Sequence, residues 1–217
     1  MNLGMITSYV IAGMLLLGIA MMNIKVQNSS AELTLAIITK EHLTSITDVI
    51  NDDLPNMGYD VIRSTRDNAN VDNKILNFAS DTEISFYRNM SNDPTVDPDL
   101  ITWELVNDTP ENSKNPNHKT LVRTVLYQNT GTPDVTEIKS GVTRFELRYY
   151  NSVGDSLSNN VAPPGALKNS LDEIKQIHLI LEVQSNEPIY TRASDPTGRY
   201  VRTVWEKRFT PPNLQIN

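Results

Sequence analysis

The sequence predicts an α+β protein in which one long N-terminal helix, half membrane anchor and half amphipathic, packs on an antiparallel β-sheet domain. Three observations predict it. The first 24 residues carry no charged side chain, and Lys25 is the first. From Gln27 to Asp53 no Pro or Gly interrupts a helix-compatible stretch. Beyond that, apolar residues recur at every second position, the period of a strand with one dry and one wet face.

The opening segment comes first. Sixteen of residues 1–24 are Ala, Val, Ile, Leu or Met, broken by Gly4, Gly13 and Gly18. About 20 such residues, wound as a helix, cross the roughly 30 Å of bilayer hydrocarbon with every backbone polar group bonded internally. Gly13 and Gly18 would let a second helix approach closely. A cleaved secretory signal is the rival reading, since Gly18-Ile19-Ala20 offers small residues to a peptidase and would leave a chain starting at Met21; the basic leader of such signals is missing. Either way the bulk of the chain is expected outside the cytoplasm, and the uncleaved segment has the lipid bilayer as its partner.

The helix is expected to run on without a linker. Ala36, Leu43, Ile46 and Ile50 lie at i, i+7, i+10 and i+14, one apolar stripe, while Lys40, Glu41, Thr44 and Asp48 take other faces. It should stop at Asn51-Asp52-Asp53-Leu54-Pro55, because proline cannot continue a helix, with Gly58 supplying the turn. That gives about 50 residues and about 75 Å at 1.5 Å per residue. The alternative is two helices broken near Gln27-Asn28-Ser29-Ser30. The expected division is residues 1–24 as the lipid-spanning half, 25–55 as the amphipathic half, and 56–217 as an extracytoplasmic β domain.

After a polar loop over 67–73, strands are expected around Ile84 and Phe86; Ile101, Trp103 and Leu105; Leu121 to Tyr127; Phe145, Leu147 and Tyr149; Ile177 to Val183; and Val201 to Phe209. Turn residues separate them at Ser91-Asn92-Asp93-Pro94, Asn115-Pro116-Asn117 and Asn129 to Pro133, and a long loop covers 151–169. The helix stripe is the expected cover for the dry face of the sheet, since otherwise both apolar surfaces would face water.

Chemistry is sparse. The formal charge of −7 and the lack of a basic run exclude nucleic acid as a partner of the usual kind. No cysteine is present, which removes disulfides, thiolate metal sites and a Cys nucleophile. His42, His118 and His178 have no metal-ligand spacing, and His178 falls on the outward register of its strand, as a surface imidazole would. No phosphate loop, dinucleotide fingerprint or nucleophile elbow occurs, so neither catalysis nor a cofactor is expected. Asp93, Asp97 and Asp99 crowd one loop and Asp67, Asn70 and Asp72 another; each set could hold a hard cation such as calcium, but a solvated turn rich in Asp and Pro is the commoner arrangement.

In order along the chain, three features resemble the type IV pilin-like proteins, in particular minor pilins and the J-type pseudopilin of type II secretion. They are the lipid-to-amphipathic helix, its acidic end Ile50 to Tyr59 with Gly58-Tyr59, and the strand series from Ile75 through Trp103 and Ser140–Tyr149 to Ile174–Val183. The resemblance implies a structural or assembly subunit in the bacterial inner membrane, single-pass, with the C-terminal domain in the periplasm or cell exterior. Its implied partners are other pilin-like subunits and a membrane assembly platform. It also implies a processing site at Gly4-Met5, although Tyr9 stands where the family places Glu. A stand-alone anchored binding or adhesion module is the alternative.

Overall fold

In a computed structural model, described for residues 3–60, 75–91, 93, 95–157, 171–189 and 198–215, a single helix α1 runs unbroken over Leu3–Asp53. The break considered near Gln27–Ser30 is absent, and those residues are helical. The helix ends as its sequence dictates. The Leu54 amide still reaches the Ile50 carbonyl at 3.0 Å, Pro55 stops the ladder, and Gly58 takes a left-handed φ of 71° that a side chain would strain. Its amide then donates to the Tyr87 carbonyl at 2.7 Å, tying the helix exit to the β domain.

The strands are β1 (Leu76–Ala79), β2 (Glu83–Arg88), β3 (Asp99–Val106), β4 (Thr120–Leu126), β5 (Pro133–Ile138), β6 (Val142–Tyr150), β7 (Ser156–Leu157), β8 (Gln176–Pro188) and β9 (Tyr200–Phe209). They form two antiparallel sheets, one of five strands in the order β1-β2-β3-β4-β5 and one of four in the order β7-β6-β8-β9. A short 3-10 turn, Pro212–Gln215, follows. The fold class is thus as expected, with two sheets in place of one. Three strands had no clear signal: β1 spans four residues, β7 spans two, and β5 is exposed along most of its length, so its alternation marks no dry face. The polar loop over 67–73 and most of the long loop over 151–169 lie outside the described residues.

The expected stripe is the buried one. Leu43, Ile46 and Ile50 are buried, joined by Thr39 and Thr47, and Ala36 is half-buried. They meet Ile177, Leu179, Leu181 and Val183 of β8 in one core with Ile84, Phe86, Ile101 and Trp103 from the larger sheet. Trp103 stacks on Phe145 at 6.4 Å between ring centroids, joining the two sheets. The alternation fails locally at Ser85, which is buried and takes a 3.2 Å hydrogen bond from Asn77 of β1.

Candidate functional site

Two features of the helix define the region. The first is its free half. From Gly4 to Thr34 every residue is exposed, and Met14, Leu16 and Met21 are 69%, 68% and 70% accessible. A soluble protein rarely leaves so large a contiguous apolar surface uncovered. This helix is long and apolar enough to cross a membrane. Thr7 and Ser8 are satisfied within the helix, both donating to the Gly4 carbonyl at 2.9 Å, as apolar surroundings require.

The second is a latch at the other end. Asp53, on the last turn of α1, has a wholly buried side chain. Its Oδ2 accepts Trp103 Nε1 at 2.9 Å and Arg123 Nε at 2.7 Å; its Oδ1 accepts Arg123 Nη2 at 2.9 Å and Arg88 Nη1 at 3.1 Å. Arg88 also bonds Asp52 at 2.8 Å, so two carboxylates face two guanidiniums. Trp103 and Arg123 are direct cross-strand partners on β3 and β4. The two-pronged bond to Asp53 raises the pKa of Arg123 further, against the opposing effect of burial. Buried charge is tolerated only when paired and fully hydrogen-bonded, and here it is both. The latch fixes where the rod ends relative to the five-stranded sheet.

Between these features a cleft of about 670 Å³ opens beside the helix, walled by Leu35, Ile38 and His42 of α1 and by Glu111, Ser113 and His118 of the β3–β4 loop. His118 is buried; its Nδ1 meets Ser113 Oγ at 2.7 Å and its Nε2 meets the Gln184 carbonyl at 3.1 Å. A carbonyl accepts only, so Nε2 carries the proton and Nδ1 accepts from the serine hydroxyl. Burial holds the His118 pKa below its usual value, and His42 pushes it the same way. The fold therefore brings together two histidines far apart in sequence. Both nitrogens of His118 are spent on holding the loop.

The other residues singled out from sequence lie apart. Gly4, Gly13 and Gly18 sit on the exposed helix, where an added Cβ would meet nothing. Gly18 floors a shallow apolar groove with Ile11, Met14, Leu15, Ile19 and Met22. Met5 is exposed. Asp93 is occupied with its own turn, accepting from the Thr95 amide at 2.8 Å and hydroxyl at 2.7 Å, and these bonds lower its pKa. Asp99 is buried and accepts the Met90 and Gln128 amides at 3.1 and 3.0 Å. Among the described residues no three His, Cys, Asp or Glu side chains gather to hold a metal. His178 keeps the outward register expected of it, opposite Arg148 and Arg208, although its side chain is only 13% exposed. Asp53 was visible in sequence only as part of a helix stop. The available signal was Arg123, a charged residue on the inward register between Leu121 and Val125, which a core admits only with a buried partner.

No protein-family model matches this chain, and no curated protein matches it.

Proposed function

We propose that this chain is a membrane-anchored structural or assembly subunit of a pilin-like apparatus, of the minor pilin or pseudopilin kind. One observation carries the reading: a single helix is bare from Gly4 to Thr34, uncharged and largely apolar as far as Ile24, and keyed into a two-sheet domain at its far end. The bare half is held in the bacterial inner membrane, and the domain stands on the periplasmic or outer side. Lateral packing onto other such helices would use close approach at Gly13 and Gly18. The domain contributes loops and sheet faces for subunit contacts.

Photocrosslinking tests this in native membranes. A benzoylphenylalanine replacing Met14 should capture the helices of other pilin-like subunits. Adducts with lipid alone, at that position and around the helix, would refute the assembly role while leaving the anchor intact. The cleft beside α1 favours a second reading, a stand-alone anchored binding module, and that result would leave it in possession. Intact-mass measurement of the native chain separates an unprocessed protein from starts at Met5 or Met21.

A further inference from the structure

The outer face of the four-stranded sheet, turned away from the helix, carries an arrangement the anchor reading does not use. Strand register places Arg148, His178 and Arg208 directly opposite one another on β6, β8 and β9. With strands about 4.8 Å apart, the row spans about 10 Å. Two arginines about two strand spacings apart on one sheet face repel each other, so such a row calls for anions. It has two. Glu146 serves Arg148 at 2.7 Å while also bonding Arg144, and Glu206 holds His178 Nε2 at 3.0 Å. Arg208 stacks over the Tyr150 ring at 4.5 Å, with a long 3.4 Å bond to Gln176. Among the described residues no carboxylate lies within ion-pair distance of it. His178 Nδ1 is buried without a hydrogen-bond partner. Among the described residues in register on this face are four arginines (144, 148, 202, 208) against three glutamates (146, 182, 206), a balance of +1 on a chain whose total is −7.

We propose that this face docks an acidic segment of a partner protein, whose carboxylates take up the free donors of Arg208 and Arg148. The geometry disfavours the anchoring membrane as the source of anions. Lys207, next to Arg208, bonds Asn51 on α1 at 2.6 Å. Asn51 lies 27 residues beyond Ile24, about 40 Å along the helix. A headgroup layer of about 5–8 Å and a Debye length near 8 Å leave the row beyond reach of lipid phosphates. That height rests on the membrane-spanning reading; the charge row does not.

The test uses the full chain in zwitterionic nanodiscs, titrated with fluorescein-labelled hexaglutamate at about 50 mM salt, where screening is weak. Replacing both exposed arginines (Arg148→Gln, Arg208→Gln) should weaken binding about tenfold or more, since charge-assisted pairs are the strong ones. Lys139→Gln, away from this face, should change it less than twofold, and melting temperatures should agree among the variants. The proposal is overturned if hexaglutamate binds no better than hexaglutamine or if the double variant binds like the parent. It is overturned equally if phosphatidylglycerol vesicles compete through the same two arginines, or if those arginines govern self-association of the chain. None of these outcomes depends on whether the helix joins an assembly.

Discussion

At the residue scale, Asp53 sets the energetics of the junction. Asp53→Ala would leave Arg123 and Trp103 Nε1 facing a buried void, and removing one partner of a buried ion pair costs about 3–5 kcal/mol. Chemical denaturation should register that loss, whereas Asp52→Ala, whose carboxylate is mostly exposed, should cost less than about 1 kcal/mol. Trp103→Phe keeps the stacking and loses one hydrogen bond, worth about 1–3 kcal/mol because the buried Asp53 oxygen is left underserved. His118 gives a pH signature. Its folded pKa lies below the ordinary 6.5, so below that pH the unfolded chain binds a proton that the folded chain refuses. Stability therefore falls as pH drops through 6.5 and levels off once the folded pKa is passed. The difference in unfolding free energy between pH 7.5 and pH 5 should shrink in His118→Gln; an unchanged difference would assign the pH dependence elsewhere. Gly141, with φ of 82°, has no room for a Cβ, which would collide with the Gln184 carbonyl oxygen. Gly141→Ala should cost more than about 1 kcal/mol, the opposite sign to an ordinary helix or strand site, where alanine is the more stable residue.

At the scale of elements, the helix was the most legible part of the sequence. Its uncharged start, its stripe at Leu43, Ile46 and Ile50, and its stop before Pro55 each follow from a rule with a large energetic penalty for violation. The central strands were legible for the same reason, because Trp103, Phe145 and Leu179 mark a dry face. Strands at the margin were not. β5 is exposed, so burial imposes no pattern on it, and β7 is too short to have one. The latch was legible only at Arg123, whose inward register calls for a buried partner; which residue answers it was not, because Asp53 lies 35, 50 and 70 residues from Arg88, Trp103 and Arg123, and such convergence is a property of the fold. Truncation tests the division of labour within α1. Leu43→Ala or Ile46→Ala should cost about 2–4 kcal/mol, as for buried aliphatic side chains. Leu16→Ala or Leu17→Ala should leave the stability of the β domain unchanged, since neither side chain touches it. A comparable loss at positions 16 and 46 would mean the free half folds back onto the domain.

At the scale of the molecule, one rod carries an uncovered apolar surface at one end and a welded two-sheet domain at the other. The same continuity joins a stretch long and apolar enough to cross a membrane to a domain packed on the helix's other end. The absence of cysteine allows single cysteines to be introduced and spin-labelled one at a time from Met5 to Ile50, with the protein reconstituted in bilayers. Collisional relaxation by oxygen and by a water-soluble nickel chelate then maps lipid, water and protein contact along the rod. The expected result is oxygen access without nickel access through Ile24, nickel access on all sides over 27–33, and then minima for both at Thr39, Leu43, Ile46 and Ile50. Nickel access across the first two dozen residues, or loss of the 3.6-residue period after Leu35, would contradict a lipid-held helix continuous with the core of the domain.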